Sequence, residues 1–250
     1  MTGRGNTTWL IPGRVPTLID AGTGAPQHLE ELERALGGAR LDRVLVTHAH
    51  SDHASGAPAL SSRMPGAQFM KMPWPERDSR YPVVWRPLSD GDVVEAGDSS
   101  VAVLHTPGHA PDHLCFWHES SRTLFCGDLA MRGSTVVIPA SSGGDLGLYL
   151  ESLERVRALR PARLLPAHGP VIDDPDVLLG NYLVHRRERD EQVLAALAAG
   201  DASPEAIAER VYSGLAPALM PMARETVAAH LLKLEREGRV RREGDRWTLT

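Results

Sequence analysis

The chain has 250 residues, of which 42% are hydrophobic and 24% charged, and its formal net charge is −5 at pH 7. This length suits one large domain and a small one, and the composition is that of an ordinary globular protein. The acidic balance excludes a global basic field for nucleic acid, the two cysteines argue against a disulfide framework, and no apolar run approaches membrane-spanning length.

Residues 7–170 alternate short apolar runs with amphipathic segments, which is typical of an α/β domain. We predict strands at residues 17–20, 43–47, 101–105, 114–117, 123–126 and 163–166, and helices at residues 26–37, 53–63 and 145–160. Residues 64–98 are rich in proline, tryptophan and turn pairs, so we expect an irregular segment that flanks a substrate cleft. The Ala96-Gly97-Asp98 turn predicts a hairpin.

The pattern changes near residue 180. Residues 184–200 and 224–238 predict helices, and between them Ser203 followed by Pro204 is a typical helix start. Residues 239–249 predict a small hairpin that turns at Glu243-Gly244-Asp245. We therefore predict a catalytic domain over residues 1–180 and a winged-helix-like domain over residues 181–250.

A cluster of metal-capable side chains follows the predicted strand at residues 43–47: His48, His50, Asp52 and His53. Imidazole nitrogens and carboxylate oxygens are ligands that zinc accepts. Three further candidates, His109, Asp128 and His168, each follow an apolar strand and stand next to a glycine that permits a sharp turn. Seven ligands exceed what one tetrahedral zinc ion needs, so the pattern favours two metal ions with a shared carboxylate and a shared water.

These motifs, in this order, resemble those of the metallo-β-lactamase superfamily. The resemblance implies an αββα sandwich with a dinuclear site. It implies that His48, His50 and His109 hold one metal, that Asp52, His53 and His168 hold the other, and that Asp128 bridges them. Zinc is the first expectation, and manganese and iron remain open.

Residues 106–113, 167–172 and 182–186 and the tail are similar to the β-lactamase-like-protein-2 group, which is known for an endoribonuclease acting on single-stranded RNA. Related chains with a similar tail hydrolyse polyketide thioesters, and glyoxalase II shares the ligand set. Asp128 at the bridging position argues against true β-lactam hydrolysis. The chain departs from the group in having Ala54-Ser55-Gly56 after the first motif and in lacking one strand near its start, from which we expect either a truncated start or a lost edge strand.

Other residues leave alternatives open. Asp52 is a catalytic candidate that orients the water, and His113 is either catalytic or a structural strand-start residue. His185 and Arg186 are candidates for binding a substrate phosphate, although a solvated helix face is the favoured interpretation of the arginines. We expect Cys126 to be a buried apolar thiol rather than a ligand.

The tail either places residues 223–237 in a nucleic-acid groove, helped by arginines of the wing, or packs on the catalytic domain and shapes its cleft. A metal-sensing DNA-binding regulator is a third alternative. We predict a cytoplasmic, metal-dependent hydrolase with single-stranded RNA as the first substrate and a small-molecule thioester as the alternative. We expect no membrane partner and keep a homo-oligomer open.

Overall fold

Two five-stranded sheets lie face to face in this computed structural model, which describes residues 5–250. The strands of the first sheet, in spatial order, are β1 (Trp9–Ile11), β2 (Thr17–Ile19), β3 (Arg43–Leu45), β4 (Gln68–Lys71) and β5 (Trp85–Pro87). The strands of the second sheet are β6 (Val93–Ala96), β7 (Ser99–His105), β8 (Leu114–His118), β9 (Thr123–Gly127) and β10 (Arg163–Pro166), with β6 and β10 at its edges. Whether a further strand precedes β1 concerns residues outside the described range.

Successive side chains of a strand point to opposite faces of its sheet, so one set packs against the other sheet and the other set packs against helices. In β2 and β3, Ile19 and Leu45 face the second sheet, whereas Leu18 and Val44 face the helices on the other side. Those helices are α1 (Pro26–Leu36), α2 (Ser51–Ala54), α3 (Ala57–Arg63) and α4 (Pro75–Asp78). On the outer face of the second sheet lie α5 (Leu146–Ala158) and the long α6 (Pro175–Ala198). The predicted αββα sandwich is confirmed.

The C-terminal part is a winged-helix module, as predicted. It comprises α7 (Pro204–Val211), α8 (Met220–Arg236) and the two-stranded wing of β11 (Val240–Glu243) and β12 (Arg246–Leu249). The Ser203 side chain caps α7 by accepting a hydrogen bond from the Ala206 N–H at 3.2 Å. The end of α6 contributes Val193 and Leu197 to the core of this module.

One helix joins both parts of the chain. The predicted boundary at residue 180 falls inside α6, which buries Leu179 and Tyr182 against the second sheet and Val193 in the tail. Helix α8 also contacts the sandwich, since its Ala229 lies in the core beneath the second sheet. No helix among the described residues is long and apolar enough to cross a membrane.

Several predicted elements were wrong in detail. Residues 64–98 are not irregular, because they contain the short helix α4 and the strands β4, β5 and β6, each of only three or four residues. The helix predicted at 53–63 is split into α2 and α3 at Gly56, where a Cβ atom would lie 2.2 Å from the Ala21 carbonyl oxygen. Helix α6 begins at Pro175 rather than at residue 184, and α8 spans Met220–Arg236 rather than 224–238. The hairpin at Gly97 joins β6 to β7 as predicted.

Candidate metal centre

The predicted ligands lie at one edge of the sandwich because the strands that precede them run in the same direction. Strands β2 and β3 are parallel, as are β9 and β10, and β7 runs in the same direction as β9. The residues that follow these strands therefore meet at their carboxyl ends. The structure brings together all seven predicted side chains in three overlapping groups: His48, His50 and His109; His48, His53 and Asp128; and Asp52, His53 and His168.

The first group consists of imidazoles that face one another. Nδ1 of His50 lies 2.9 Å from Nε2 of His48 and 3.0 Å from Nε2 of His109. Burial, reinforced by the neighbouring His109, lowers the pKa of His50 to about 3, so this ring is neutral and its nitrogen is free to bind a metal. His109 is held in one tautomer because its Nδ1–H donates to the Val137 carbonyl at 2.8 Å, which leaves Nε2 to face the group.

The second group to be described, Asp52, His53 and His168, combines a carboxylate with two imidazoles. Oδ2 of Asp52 lies 3.2 Å from Nε2 of His168 and 3.5 Å from Nε2 of His53. Burial acts to lower the pKa of His168, but the nearby carboxylates of Asp128 and Asp52 outweigh burial and raise that pKa to about 10. The carboxylates of Asp52 and Asp128 therefore favour a positive charge beside Nε2 of His168, such as a proton or a metal ion.

Asp128 lies between the two groups. Its Oδ2 is 3.5 Å from Nε2 of His109 in the first group, whereas its Oδ1 is 3.3 Å from Nε2 of His168 and 3.6 Å from Nε2 of His53 in the second. The two oxygens of this carboxylate thus face different groups, which is the arrangement that a bridging ligand needs.

Two buried atoms test whether these side chains fit a metal. Among residues 5–250, Nε2 of His53 and Oδ1 of Asp128 are buried without a hydrogen-bond partner. An unpaired buried polar atom is costly, and native proteins leave few of them. A cation between these atoms would satisfy both, so the donor set fits metal ions at this position.

Asp20 orients the site and was missed in the sequence. It follows β2 with a positive φ of 64°, which Asp tolerates better than most residues, and its side chain is buried. Its Oδ2 accepts a hydrogen bond from Nδ1 of His53 at 2.8 Å, and its Oδ1 accepts from the backbone N–H of Thr47 at 2.8 Å. The only signal in the sequence was that Asp20 directly follows the apolar strand β2. That strand pairs with β3, which His48 and His50 follow.

His113 positions a ligand and is shielded from solvent. The ring is fully buried, its Nδ1 is 2.8 Å from the Thr106 hydroxyl, and its Nε2 accepts the backbone N–H of Asp128 at 3.1 Å. Burial lowers the pKa of His113 to about 3. Gly127 is required beside it, because a Cβ atom there would lie 2.8 Å from Nε2 of His113. The prediction that His113 is catalytic is therefore corrected: its ring holds the Asp128 backbone in place.

The prediction that Arg186 binds a substrate phosphate is also corrected. Arg186 is only 2% exposed, and its guanidinium donates to the Val136 carbonyl, next to the carbonyl that orients His109. The neighbouring Arg187 pairs with Glu154 at 3.7 Å, and His185 is half-buried and outside the three ligand groups. Arg186 thus supports the loop behind His109 instead of facing solvent.

Cys126 is a buried thiol, as expected. It lies in the core cluster beneath the second sheet, and its Sγ is 3.8 Å from the Ala130 carbonyl. Burial raises the pKa of this thiol well above its usual value, which disfavours the thiolate that metal binding requires.

One rim of the site carries an aromatic ring and a cation. The Trp74 ring lies 6.4 Å from the His50 ring, and the Arg77 guanidinium stacks over Trp74 at 4.8 Å. Among the ion pairs of the described residues, none involves Arg77. Arg77 therefore offers an uncompensated positive charge beside a candidate metal ligand.

The tail docks on the sandwich. Glu225 of α8 accepts hydrogen bonds from Ser141, and Arg236 forms a two-pronged pair with Asp145 at 2.7 and 2.8 Å. In the wing, Arg241 pairs with Glu243 at 2.9 Å. The structure thus matches the alternative in which the tail packs on the catalytic domain. Part of the surface of α8 is covered by that contact.

Comparisons with known proteins agree with this architecture. The model of the metallo-beta-lactamase superfamily matches residues 1–168, and that of the beta-lactamase associated winged helix domain matches residues 203–247. The beta-lactamase-like protein 2 homolog of Drosophila melanogaster is 30% identical over 96% of this chain and 86% of its own length. An atrochrysone carboxyl ACP thioesterase of Emericella nidulans is 29% identical over 78% of this chain and 61% of its own length.

The whole fold, tail included, recurs in a solved structure. A metallo-beta-lactamase family protein from Thermus thermophilus superposes with a TM-score of 0.82 at 22% identity, over 98% of this chain and 94% of that one. The chain spans between 45% and 61% of the length of the fungal relatives it matches.

Proposed function

This chain belongs to the metallo-β-lactamase superfamily of hydrolases, and we propose that it is a dinuclear metal-dependent hydrolase. The observation that carries the proposal is the position of Asp128, whose two carboxylate oxygens face two separate groups of ligands. One group would be His48, His50 and His109, and the other Asp52, His53 and His168, with Asp128 shared between them. Zinc is the first candidate for both ions, and manganese and iron are alternatives.

The chain's own residues supply orientation. When bound, the ions would lower the pKa of a water molecule and polarise the bond that is cut. Asp52 lies at the second group and can accept a hydrogen bond that orients the attacking water. Asp20 and the Val137 carbonyl fix the ring orientations of His53 and His109, so the ligands are held ready before substrate binds.

Single-stranded RNA is the first substrate candidate. Arg77 has no ion-pair partner in the part of the chain that the structure describes, and it is stacked on Trp74 beside His50, which favours an anionic substrate. An aromatic ring next to a cation is also the arrangement that binds bases and phosphates of single strands. Helix α8 and the wing do not add to this candidate, because their charges are largely paired within the chain.

An acyl thioester is the second candidate. It is favoured by the relative that carries the name of an ACP thioesterase and by the docked tail, which borders the sandwich instead of presenting a free helix. A β-lactam is a weaker candidate, because the bridging position carries Asp128 rather than a cysteine.

An assay on the purified chain distinguishes these substrates. The protein would be loaded with Zn²⁺, Mn²⁺ or Fe²⁺ and tested on a single-stranded RNA oligomer, an acyl thioester and a chromogenic cephalosporin, with chelator-treated protein as the control. We expect two ions per chain by elemental analysis and metal-dependent cleavage of RNA. Intact RNA beside rapid thioester turnover would replace the first candidate by the second. One ion per chain at saturation would contradict the dinuclear centre.

A further inference from the structure

Lys71, the last residue of β4, is a fully buried lysine close to the metal centre. Its Nζ lies 2.6 Å from Oδ1 of Asp78 and 3.1 Å from Oδ2 of Asp112. A buried ammonium group is stable only when it is paired and hydrogen-bonded, and here one cation serves two carboxylates. Neither carboxylate is a candidate metal ligand, so this ion cluster stands outside the site already described.

The Asp112 side of the cluster leads to the metal ligands. The same Oδ2 of Asp112 accepts the backbone N–H of Ala49 at 2.9 Å. Ala49 lies between His48 and His50, and its carbonyl accepts a hydrogen bond from the Tyr81 hydroxyl at 3.2 Å. The peptide groups between two candidate ligands are therefore held from both sides.

The Asp78 side of the cluster leads to the rim of the metal site, where Trp74 and Arg77 lie. Oδ2 of Asp78 accepts the backbone N–H of Trp74 at 2.8 Å, and the Asp78 carbonyl accepts the N–H of Tyr81 at 3.0 Å. Trp74 in turn carries Arg77 and lies next to His50. The position of the rim thus depends on Asp78, and Asp78 is held by Lys71.

We propose that Lys71 is a positioning residue that joins the ligand segment 48–50 and the rim segment 74–81 into one unit. The proposal rests on the proposed metal centre. Metal binding, which orders the ligand segment, is transmitted through Asp112 and Lys71 to the rim, so the rim is ordered when the metal site is filled. Without the ammonium, the buried Asp112 and the partly exposed Asp78 are two carboxylates that repel each other, and both attachments loosen.

The chain supplies a matched control for this proposal. It has two lysines in all, and the other, Lys233 of α8, lies 2.8 Å from Oδ2 of the buried Asp190. Lys71→Met and Lys233→Met therefore each remove one ammonium from a buried aspartate, but only Lys71 is connected to the metal ligands. A purely structural role would give similar losses in both variants.

Two measurements test the coupling: zinc affinity by competition with a chelating dye, and amide hydrogen exchange of peptides covering 48–53 and 74–81 with and without Zn²⁺. In the parent protein we expect zinc to slow exchange in both segments. In Lys71→Met we expect zinc affinity to fall about 10- to 100-fold, the range for partners that orient ligands, and zinc to protect 48–53 but not 74–81. Lys233→Met should keep both the affinity and the double protection.

A milder variant covers the case in which Lys71→Met does not fold. Asp78→Asn keeps the Lys71–Asp112 contact, and we expect it to retain zinc affinity while losing the protection of 74–81. Parent-like affinity and protection in Lys71→Met, equal losses in Lys233→Met, or a rim that never responds to zinc in the parent overturns the inference. A parent protein that binds fewer than two ions contradicts the dinuclear proposal instead.

Discussion

Oδ2 of Asp20 accepts a hydrogen bond from Nδ1 of His53 at 2.8 Å, with both side chains buried. Burial acts to lower the pKa of His53, but the carboxylates of Asp20 and Asp128 outweigh it and hold that pKa well above its usual value. The bond also decides which nitrogen faces a metal, because Asp20 holds the proton on Nδ1 and Nε2 is the nitrogen that would exchange its proton for a metal ion. Asp20 thus sets both the orientation and the basicity of one ligand.

Asp20→Asn should weaken zinc binding. Asparagine tolerates the positive φ at this position, so the variant removes the charge with little backbone strain. We expect zinc affinity to fall about 10- to 100-fold, as for other partners of ligating histidines, measured by competition with a chelating dye. The matched control is Asp98→Asn, which removes an exposed carboxylate paired with Arg14 at 3.6 Å. Equal affinities in all three proteins would contradict the role of Asp20.

Metal removal should lower thermal stability as well as activity. A ligand that binds only the folded state, at about 100 times its dissociation constant, stabilises that state by about 2.7 kcal/mol. For a chain of this size, each kcal/mol corresponds to about 2–4 °C in Tm, so we expect chelator treatment to lower Tm by about 5–11 °C. Differential scanning calorimetry before and after chelation, with zinc restored in a third sample, checks this. A Tm that is independent of the chelator would contradict metal binding at a preformed site.

The sequence predicted the ligands better than their support. Each ligand follows an apolar strand, so strand direction alone brings them together. Asp20 and Asp112 accept hydrogen bonds from the backbone N–H groups of Thr47 and Ala49, which are far away along the chain. In the sequence alone, each aspartate resembles an ordinary polar turn residue. Lys71 gave no signal at all, because a lysine is normally exposed and its burial depends on two aspartates from other segments.

The predicted elements failed where tertiary contacts decide local structure. Residues 64–98 lack periodicity, yet β4 forms there because it extends the parallel sheet beside β3, with Val44 opposite Phe69. The arginines after His185 carry the same charge in the sequence, and only packing separates the buried Arg186 from the exposed Arg187. The docked position of α8 depends in the same way on Asp145 and Ser141, which the sequence does not connect with it.

Asp128→Ala should abolish every metal-dependent activity. The variant removes the only carboxylate whose oxygens reach both ligand groups of the described residues, so neither ion keeps its full donor set. We expect elemental analysis to show one ion or none per chain and turnover to fall to the level of chelated protein. Two tightly bound ions with preserved turnover in Asp128→Ala would show that the dinuclear assignment is wrong.

The adjacent Arg186 and Arg187 offer a paired test of structural against substrate roles. Arg186→Met removes the hydrogen bond to the Val136 carbonyl, and losing a charged hydrogen bond in a buried site costs about 1.5–3 kcal/mol. We expect a lower Tm and weaker zinc binding for Arg186→Met, because the loop that orients His109 loosens. Arg187→Met removes only an exposed pair with Glu154, so its Tm and zinc affinity should stay close to the parent values. A selective loss of RNA binding in both variants, with Tm unchanged, would restore the phosphate-binding interpretation.

Arg77→Gln tests the substrate candidates directly. Arg77 is stacked on Trp74 beside the metal centre, and a phosphate that approaches the ligands comes within reach of its guanidinium. If the substrate is single-stranded RNA, we expect KM to rise about 10-fold or more, since hydrogen bonds to charged groups contribute about 1.5–3 kcal/mol. The slope of log affinity against log salt should also fall by about 0.7 for the one lost phosphate contact.

The matched control is Arg34→Gln on the outer helix α1, where an exposed arginine is removed with the same change in net charge. Equal effects in the two variants would mean that Arg77 acts only through net charge. Unchanged RNA kinetics together with altered thioester turnover would assign the rim to an acyl substrate instead.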